Sequence, residues 1–327
     1  MRRRIYIPRT SIEDVLSGKA RFHVACERAE TFLERIPDGS VSLALLDPPY
    51  HRHVEEAWDW EHDTVCAYLG WLLTILAETK RVLASNGSLY LFAGSEYAGR
   101  IEERVRRELR VLNTITWAKP DRLGRIGRAE KKRLRCYFSN SERIIFAEKY
   151  GFIHEPIYRY FRGELDRSKL RRADVHRAWV ADHNSNAPMA ARWFSPAYWQ
   201  LPTKPRYEWL QRLFGAGFFV RTYEDIREEY ERLRRPFYAT EDFCADVWRF
   251  APVRAVRGQE KHRCEKPIEM MKSIVLASSR PGDIVLDCFS GSGSTGEAAL
   301  ANGRRFLGCD MDPKWMMNTT LRCQSTG

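Results

Sequence analysis

The chain has 327 residues, 44% of them hydrophobic and 12% aromatic, enough to bury one large core or two smaller ones, which excludes a disordered protein. Lysine and arginine number 54 against 43 acids, a formal charge of +11 that favours a polyanionic partner; the acids are plentiful, so the excess must be gathered in patches. MRRRIYIPRT has no apolar stretch behind it, and no run approaches the ~20 residues that span a bilayer. With 8 scattered cysteines and no zinc spacing, the expectation is a cytoplasmic chain with reduced thiols, no metal and no membrane contact.

In chain order, residues 20 to 150 alternate apolar runs with helical patterns. SVSLALL reads as a strand, CAYLGWLLTILAETKRVL as a helix, SLYLFAG as a strand, IEERVRRELR as a helix and NTITWAK as a strand. This is the rhythm of an open, mostly parallel, Rossmann-like doubly wound α/β sheet. From 151 to about 255 the rhythm gives way to arginine and aromatic residues, with a charged helix YEDIREEYERLRR ended by Pro236. That stretch reads as an inserted module facing the substrate. From about 262 the rhythm returns: KPIEMMKSIVLASS as a helix, a turn at RPGD, the strand IVLDCF, a glycine loop, the helix STGEAALANG and the strand RRFLGCD.

Two places carry chemistry. SVSLALL runs into Asp47, Pro48, Pro49 and Tyr50. The two prolines lack backbone donors and have fixed φ, so they stop the strand and hold Asp47 and Tyr50 on a stiff corner. In DCFSGSGSTGEAA, Gly291, Gly293 and Gly296 form G-x-G-x-x-G between a strand and a helix, and Asp310 ends the next strand. Glycine permits a tight turn and close ligand approach, the helix start offers partial positive charge, and an acid at that distance suits a ribose. Alone, the loop serves a nicotinamide dinucleotide, and hence an oxidoreductase, as well as S-adenosylmethionine.

DPPY at 47 to 50 together with D-x-F-x-G-S-G-S-T at 287 to 295 resembles the amino-group DNA methyltransferases that modify adenine N6 or cytosine N4. With DPPY first and the glycine loop near the C-terminus, the block order is similar to the beta class, a circularly permuted class I methyltransferase fold. GSLYLF, TWAK, SNSERIIFAEK and H-x-x-E-K-P at 262 to 267 fit the same resemblance, which covers about 20 to 150 and 262 to 315. It implies three parts: residues 1 to 150 with the catalytic corner, 151 to 260 as a mainly helical target-recognition insert, and 261 to 327 with the glycine loop.

The resemblance implies S-adenosylmethionine as cofactor, with Lys266, Pro267, Asp287, Phe289, Gly291, Ser292, Gly293, Thr295 and Asp310 around it. It implies site-specific methylation of duplex DNA on the nucleoid, on adenine N6 with cytosine N4 as the alternative. A cognate restriction endonuclease, and a monomer or homodimer, stay open. Asp47 and the Pro48 carbonyl would accept the hydrogens of an extruded base's amino group, and Tyr50 would stack on that base. DNA contacts are expected at Arg122, Arg125, Arg128, Lys131, Lys132 and Arg133 in a glycine-punctuated loop, and at Arg171 and Arg172. One departure stands out: where the family carries a Gly-Asp pair linked to the cofactor, HVACER has Ala25 and Cys26, so that either Glu27 substitutes or the contact is lost. A DNA-binding protein without catalysis is the reading that this departure leaves open.

Overall fold

The computed structural model describes residues 10–53, 55–120, 135, 137, 139–151, 154–239, 243–253 and 262–326. Two compact units emerge, residues 1–150 with 235–327, and residues 151–234.

The larger unit is built on one sheet. Its strands are β1 (Phe22–Cys26), β2 (Val41–Leu46), β3 (Leu83–Gly94), β4 (Arg110–Ala118), β5 (Ser141–Glu148), β6 (Val247–Arg249), β7 (Ile284–Asp287) and β8 (Arg305–Asp310). They lie in the order β1-β8-β7-β2-β3-β5-β4-β6. Pairing is parallel except where β5 runs antiparallel between β3 and β4. The apolar runs are strands because both faces are covered. Along β2, Ala44 and Leu46 enter one core while Leu43 and Leu45 enter the other, and Leu89, Leu91 and Ala93 alternate with Tyr90 and Phe92 along β3.

On the first face pack α1 (Ile12–Leu16), α2 (Ala29–Glu34), α3 (Val65–Val82) and α4 (Ala98–Glu108), through residues such as Phe32, Leu72, Ile75 and Ile101. The short α1 is held by a capping box in which Ser11 and Asp14 bond each other's backbone N–H. The second unit contributes α5 (Glu155–Arg167), α6 (Arg172–His183), α7 (Met189–Phe194), α8 (Lys204–Phe214) and α9 (Tyr223–Leu233). The second face of the sheet is covered by α10 (Ile268–Ser278), α11 (Ser294–Ala301) and α12 (Pro313–Ser325), through Met270, Ile274, Ala298 and Cys323.

The doubly wound arrangement is the one the β-α-β rhythm predicts. After β7 the chain crosses through α11 to β8 on one side, and after β2 it crosses through α3 to β3 on the other. Connections therefore diverge between β7 and β2, the switch point at which open α/β sheets form a crevice beyond their strand ends.

The second unit has its own core, dominated by aromatic side chains: Phe161, Trp193, Phe194, Tyr207 and Phe219 are buried in it. Trp179 meets Trp193 and Trp209 edge to face at 5.4 and 5.2 Å. Thr222 caps α9 by accepting from the Asp225 N–H. No described helix is long and apolar enough to cross a membrane.

Candidate active site

β2 and β7 are neighbours in register, Ala44 opposite Leu286, so Asp47 and Asp287 leave the sheet at one edge. Asp310 ends β8, the next strand over, at that same edge. The two segments singled out at opposite ends of the sequence thus meet in one open cleft. Asp47, Pro48, Pro49 and Tyr50 line it, with Lys266, Asp287, Phe289, Gly291, Ser292, Thr295 and Asp310.

At the acidic corner, Lys266 forms an ion pair with Asp47 Oδ2 and lies 3.8 Å from Glu142 Oε2. Tyr50 Oη stands 2.9 Å from Asp47 Oδ1 and 3.0 Å from Glu142 Oε2. One phenolic proton serves one carboxylate at a time, so the two acids share a single donor. Lys119 pairs with the other oxygen of Glu142, and the Lys266 ammonium sits over the rings of Tyr50 and Phe92 at 5.4 and 5.0 Å. Burial pushes the Asp47 carboxyl above its usual range against the pull of Lys266, with Glu142 adding to the rise. Burial acts on Glu142 in the same direction, but Lys266 and Lys119 overcome it and hold this carboxyl below the ordinary value. Burial alone would lower Lys266; Asp47 and Glu142 keep it above its ordinary value, as an ammonium ion.

The glycine loop is braced from behind. Gly291 and Gly293 have φ of 47° and 82°, and a Cβ on Gly293 would lie 2.8 Å from the Thr319 Cα. A Cβ on Gly296 would lie 2.6 Å from Cys323 Sγ, which is how α11 packs close against α12. The Gly291 N–H donates to Asp310 Oδ2 at 2.8 Å and the Asp312 N–H to Oδ1 at 3.0 Å, so Asp310 ties the loop to the end of β8. Arg322 joins Glu265, at 2.9 Å, to Glu297 on α11. Pro267 stands at the head of α10, and Gly293 caps α11 with its backbone packed on Thr319.

Where the Gly-Asp pair was expected, Cys26 ends β1 with its Sγ 3.9 Å from the Met311 carbonyl. The Glu27 N–H donates to the Asp310 carbonyl at 3.1 Å, and its carboxylate pairs with Arg35 while lining the cleft. Arg122, Arg125, Arg128, Lys131, Lys132 and Arg133 lie outside the described residues. Arg171 and Arg172 begin α6 in the second unit, where both are exposed and Arg171 meets Asp174 at 3.3 Å. Glu142 and Lys119 carry no role from the sequence; their signal there is membership of SNSERIIFAEK and TWAK, two of the segments that fit the family resemblance.

Asp287 is pushed up to about 7, chiefly by burial, against hydrogen bonds from Thr295 and the Phe289 N–H. An unfolded aspartate titrates near ~3.9, so between there and about 7 the folded chain binds more protons than the unfolded one, and stability falls as pH rises through that window. Asp287→Asn is therefore expected to stabilise the fold at pH 8 by at most about 4 kcal/mol relative to the parent, seen as a higher melting temperature, and to gain little at pH 4. Thermal melts of the two proteins at both pH values check this; equal shifts would contradict it.

An open α/β sheet whose switch point joins a glycine loop to an acid ending the next strand is the arrangement in which such folds bind nucleoside cofactors. The family profile described as DNA methylase, for N6 and N4 enzymes, matches residues 41–319, and the chain belongs to that family. This makes it an S-adenosylmethionine-dependent DNA methyltransferase, and the glycine loop is not that of a nicotinamide enzyme. It is 25% identical over 322 residues to the DNA adenine methyltransferase YhdJ of Escherichia coli K12, covering 94% of this chain and 84% of that one. It is 26% identical over 292 residues to the type II methyltransferase M1.MboII of Moraxella bovis, covering 87% and 90%. Its fold is similar to that of M1.HpyAVI in complex with SAM, with a TM-score of 0.52 at 15% identity over 92% of this chain and 98% of that one.

Proposed function

We propose that the chain methylates the N6 amino group of adenine at a specific site in duplex DNA, with Asp47, Pro48, Pro49 and Tyr50 as the transfer corner. The observation that carries this is the adjacency of β2 and β7, which sets the Asp47 corner and the glycine loop on one cleft. An adenine substrate is favoured by the acid in DPPY and by the likeness to an adenine methyltransferase.

The cleft suits the methyl donor. Gly291 and Gly293 hold positive φ, as a loop passing close to a ligand requires, and each Asp310 oxygen keeps a lone pair beyond the N–H it already accepts. Asp310, Phe289, Asp287, Thr295, Pro267 and the loop at 291–293 are assigned to hold it. Lys266 is assigned to the cofactor carboxylate by its motif and to Asp47 by its contacts, and three ammonium donors allow both. Bound there, S-adenosylmethionine supplies an electrophilic sulfonium methyl: the nitrogen–carbon bond forms as the carbon–sulfur bond breaks, and sulfur keeps the electron pair.

The chain's own part is to make a poor nucleophile competent. An exocyclic amino lone pair is delocalised into the ring, and acceptors aimed at its two hydrogens stabilise the positive charge that grows on nitrogen during attack. The Asp47 carboxylate is one acceptor and the Pro48 carbonyl the other, on a corner that Pro49 stiffens. The released proton passes to Asp47 or to solvent. Tyr50 provides the ring on which the extruded base stacks, worth ~1–3 kcal/mol. Arg122, Arg125, Arg128, Lys131, Lys132 and Arg133 are assigned to DNA phosphates, and Arg171 and Arg172, on the second unit, to positioning or reading the target.

The reading is tested by incubating the protein with duplex DNA and labelled S-adenosylmethionine, digesting to nucleosides and separating them. Label in N6-methyladenine is the expected result; label in N4-methylcytosine would overturn the choice of base, and no label would overturn the activity.

A further inference from the structure

β5 runs antiparallel between β3 and β4, so its first residues lie at the edge where its neighbours end: Glu142 is opposite Gly94 on one side and Trp117 on the other. That places an acid from a strand start beside Asp47, which follows a strand end. The Glu142 side chain is only 12% exposed, and it does not line the cleft. A structural ion pair at the β4–β5 edge would need only Glu142 and Lys119. Here two anions and two cations alternate, Lys119 to Glu142 to Lys266 to Asp47, and the Tyr50 phenol lies between the two carboxylates. Gly94 makes room for the ring, since a Cβ there would be 3.1 Å from Tyr50 Cδ2.

We propose that Glu142 is a positioning residue for methyl transfer: it anchors Tyr50 by its phenol and shares Lys266 with Asp47, so that the base platform and the acceptor are held in one geometry. This rests on the reading of Asp47 and Tyr50 as the transfer corner. The titratable groups that bear on Asp47 are Lys266 and Cys264 before α10, Tyr50 on the turn, Glu142 on β5, Asp287 on β7 and Tyr68 on α3, with Lys119 acting through Glu142. Glu142 disfavours the ionised form of Asp47. Removing its charge, and leaving Lys266 to Asp47 alone, lets Asp47 ionise at lower pH.

Glu142→Gln is therefore expected to move the acid limb of the kcat–pH profile to lower pH and to lower kcat on the order of tenfold to 100-fold, with the affinity for S-adenosylmethionine unchanged. Glu142→Asp keeps the charge and shortens the reach, so its acid limb stays with the parent while kcat falls. Tyr50→Phe removes the anchored hydroxyl, and adding Glu142→Gln to it should slow transfer less than the two single losses multiplied. Where the glutamine variant does not fold, the aspartate and phenylalanine variants carry the test. Parent-like kcat in Glu142→Asp, or a parent-like acid limb in a folded Glu142→Gln, overturns the role of Glu142 while an inactive Asp47→Ala leaves the corner standing. Retained transfer in Asp47→Ala overturns the corner itself.

Discussion

Asp47→Ala is expected to silence methyl transfer while the protein still folds and still binds S-adenosylmethionine. The carboxylate is one of two acceptors proposed to meet the amino hydrogens, and loss of one preorganised partner of developing charge costs about 10²–10³ in rate. The loss here is compounded because Asp47 also accepts from Tyr50 and holds Lys266, so the platform and the cation lose a partner together. The fold should survive. A buried charge stripped of its partner costs about 3–5 kcal/mol, but the ammonium of Lys266 retains Glu142 at 3.8 Å and falls short of that limit. Asp47→Asn is the sharper variant: nearly isosteric, it keeps one acceptor oxygen but turns the other into a donor, which faces either Lys266 or the Tyr50 hydroxyl and leaves one acceptor fewer for the amino group. Its single-turnover rate should fall with that of the alanine variant. Labelled methyl incorporation into duplex DNA, read beside a melting curve and a calorimetric titration with S-adenosylmethionine, separates the outcomes. Transfer within tenfold of the parent in either folded variant would remove Asp47 from the chemistry.

Strands β2, β3, β7 and β8 are legible as runs because both faces of a parallel sheet are buried, leaving little alternation in sequence. Their order is another matter. Insertion of β5 between β3 and β4 is a property of pairing, and nothing within SERIIFAE says that its first residues turn toward the strand ends of its neighbours. Glu142 was unreadable as a site residue for that reason: its burial is created by topology. β1 is not legible as a strand because FHVAC is only partly buried, with its last residue exposed and a histidine breaking the apolar run. DPPY and the glycine loop are legible for the opposite reason, since both depend on local backbone demands, φ fixed by proline and φ opened by glycine. Tyr50 shows the limit of a motif: an aromatic face can be expected from the residue type, but a hydroxyl poised between Asp47 and Glu142 under the Lys266 ammonium can be seen only in three dimensions. In the second unit the charged helix ending before Pro236 is readable by its polar periodicity, whereas the aromatic core around Trp193 and Phe219 comes from separate helices that share no pattern.

Gly293→Ala should separate cofactor affinity from fold stability. At φ of 82° an alanine is strained by ~1–2 kcal/mol, and its Cβ would lie 2.8 Å from the Thr319 Cα, a backbone atom that cannot swing aside. The loop can relieve both only by leaving its conformation, which displaces the cleft-lining backbone of Gly291 and Ser292 beside it and draws the Gly291 N–H off Asp310. A site populated only in its strained form binds in proportion to that fraction, so a cost of that size translates to roughly 5–30-fold weaker S-adenosylmethionine binding before the contact with Thr319 is counted. Gly39→Ala is the matched control. Its φ is 66°, but nothing lies within 4 Å of an added Cβ, and it sits in the turn before β2, where its neighbours Asp38 and Ser40 do not line the cleft as Ser292 and Ser294 do beside Gly293. The expected pattern is that both variants melt earlier, while only Gly293→Ala loses affinity in a calorimetric titration. Equal affinities in the two would show that the loop at Gly293 does not hold the methyl donor, and equal affinity of Gly293→Ala and the parent would show that the loop absorbs a side chain without leaving its place.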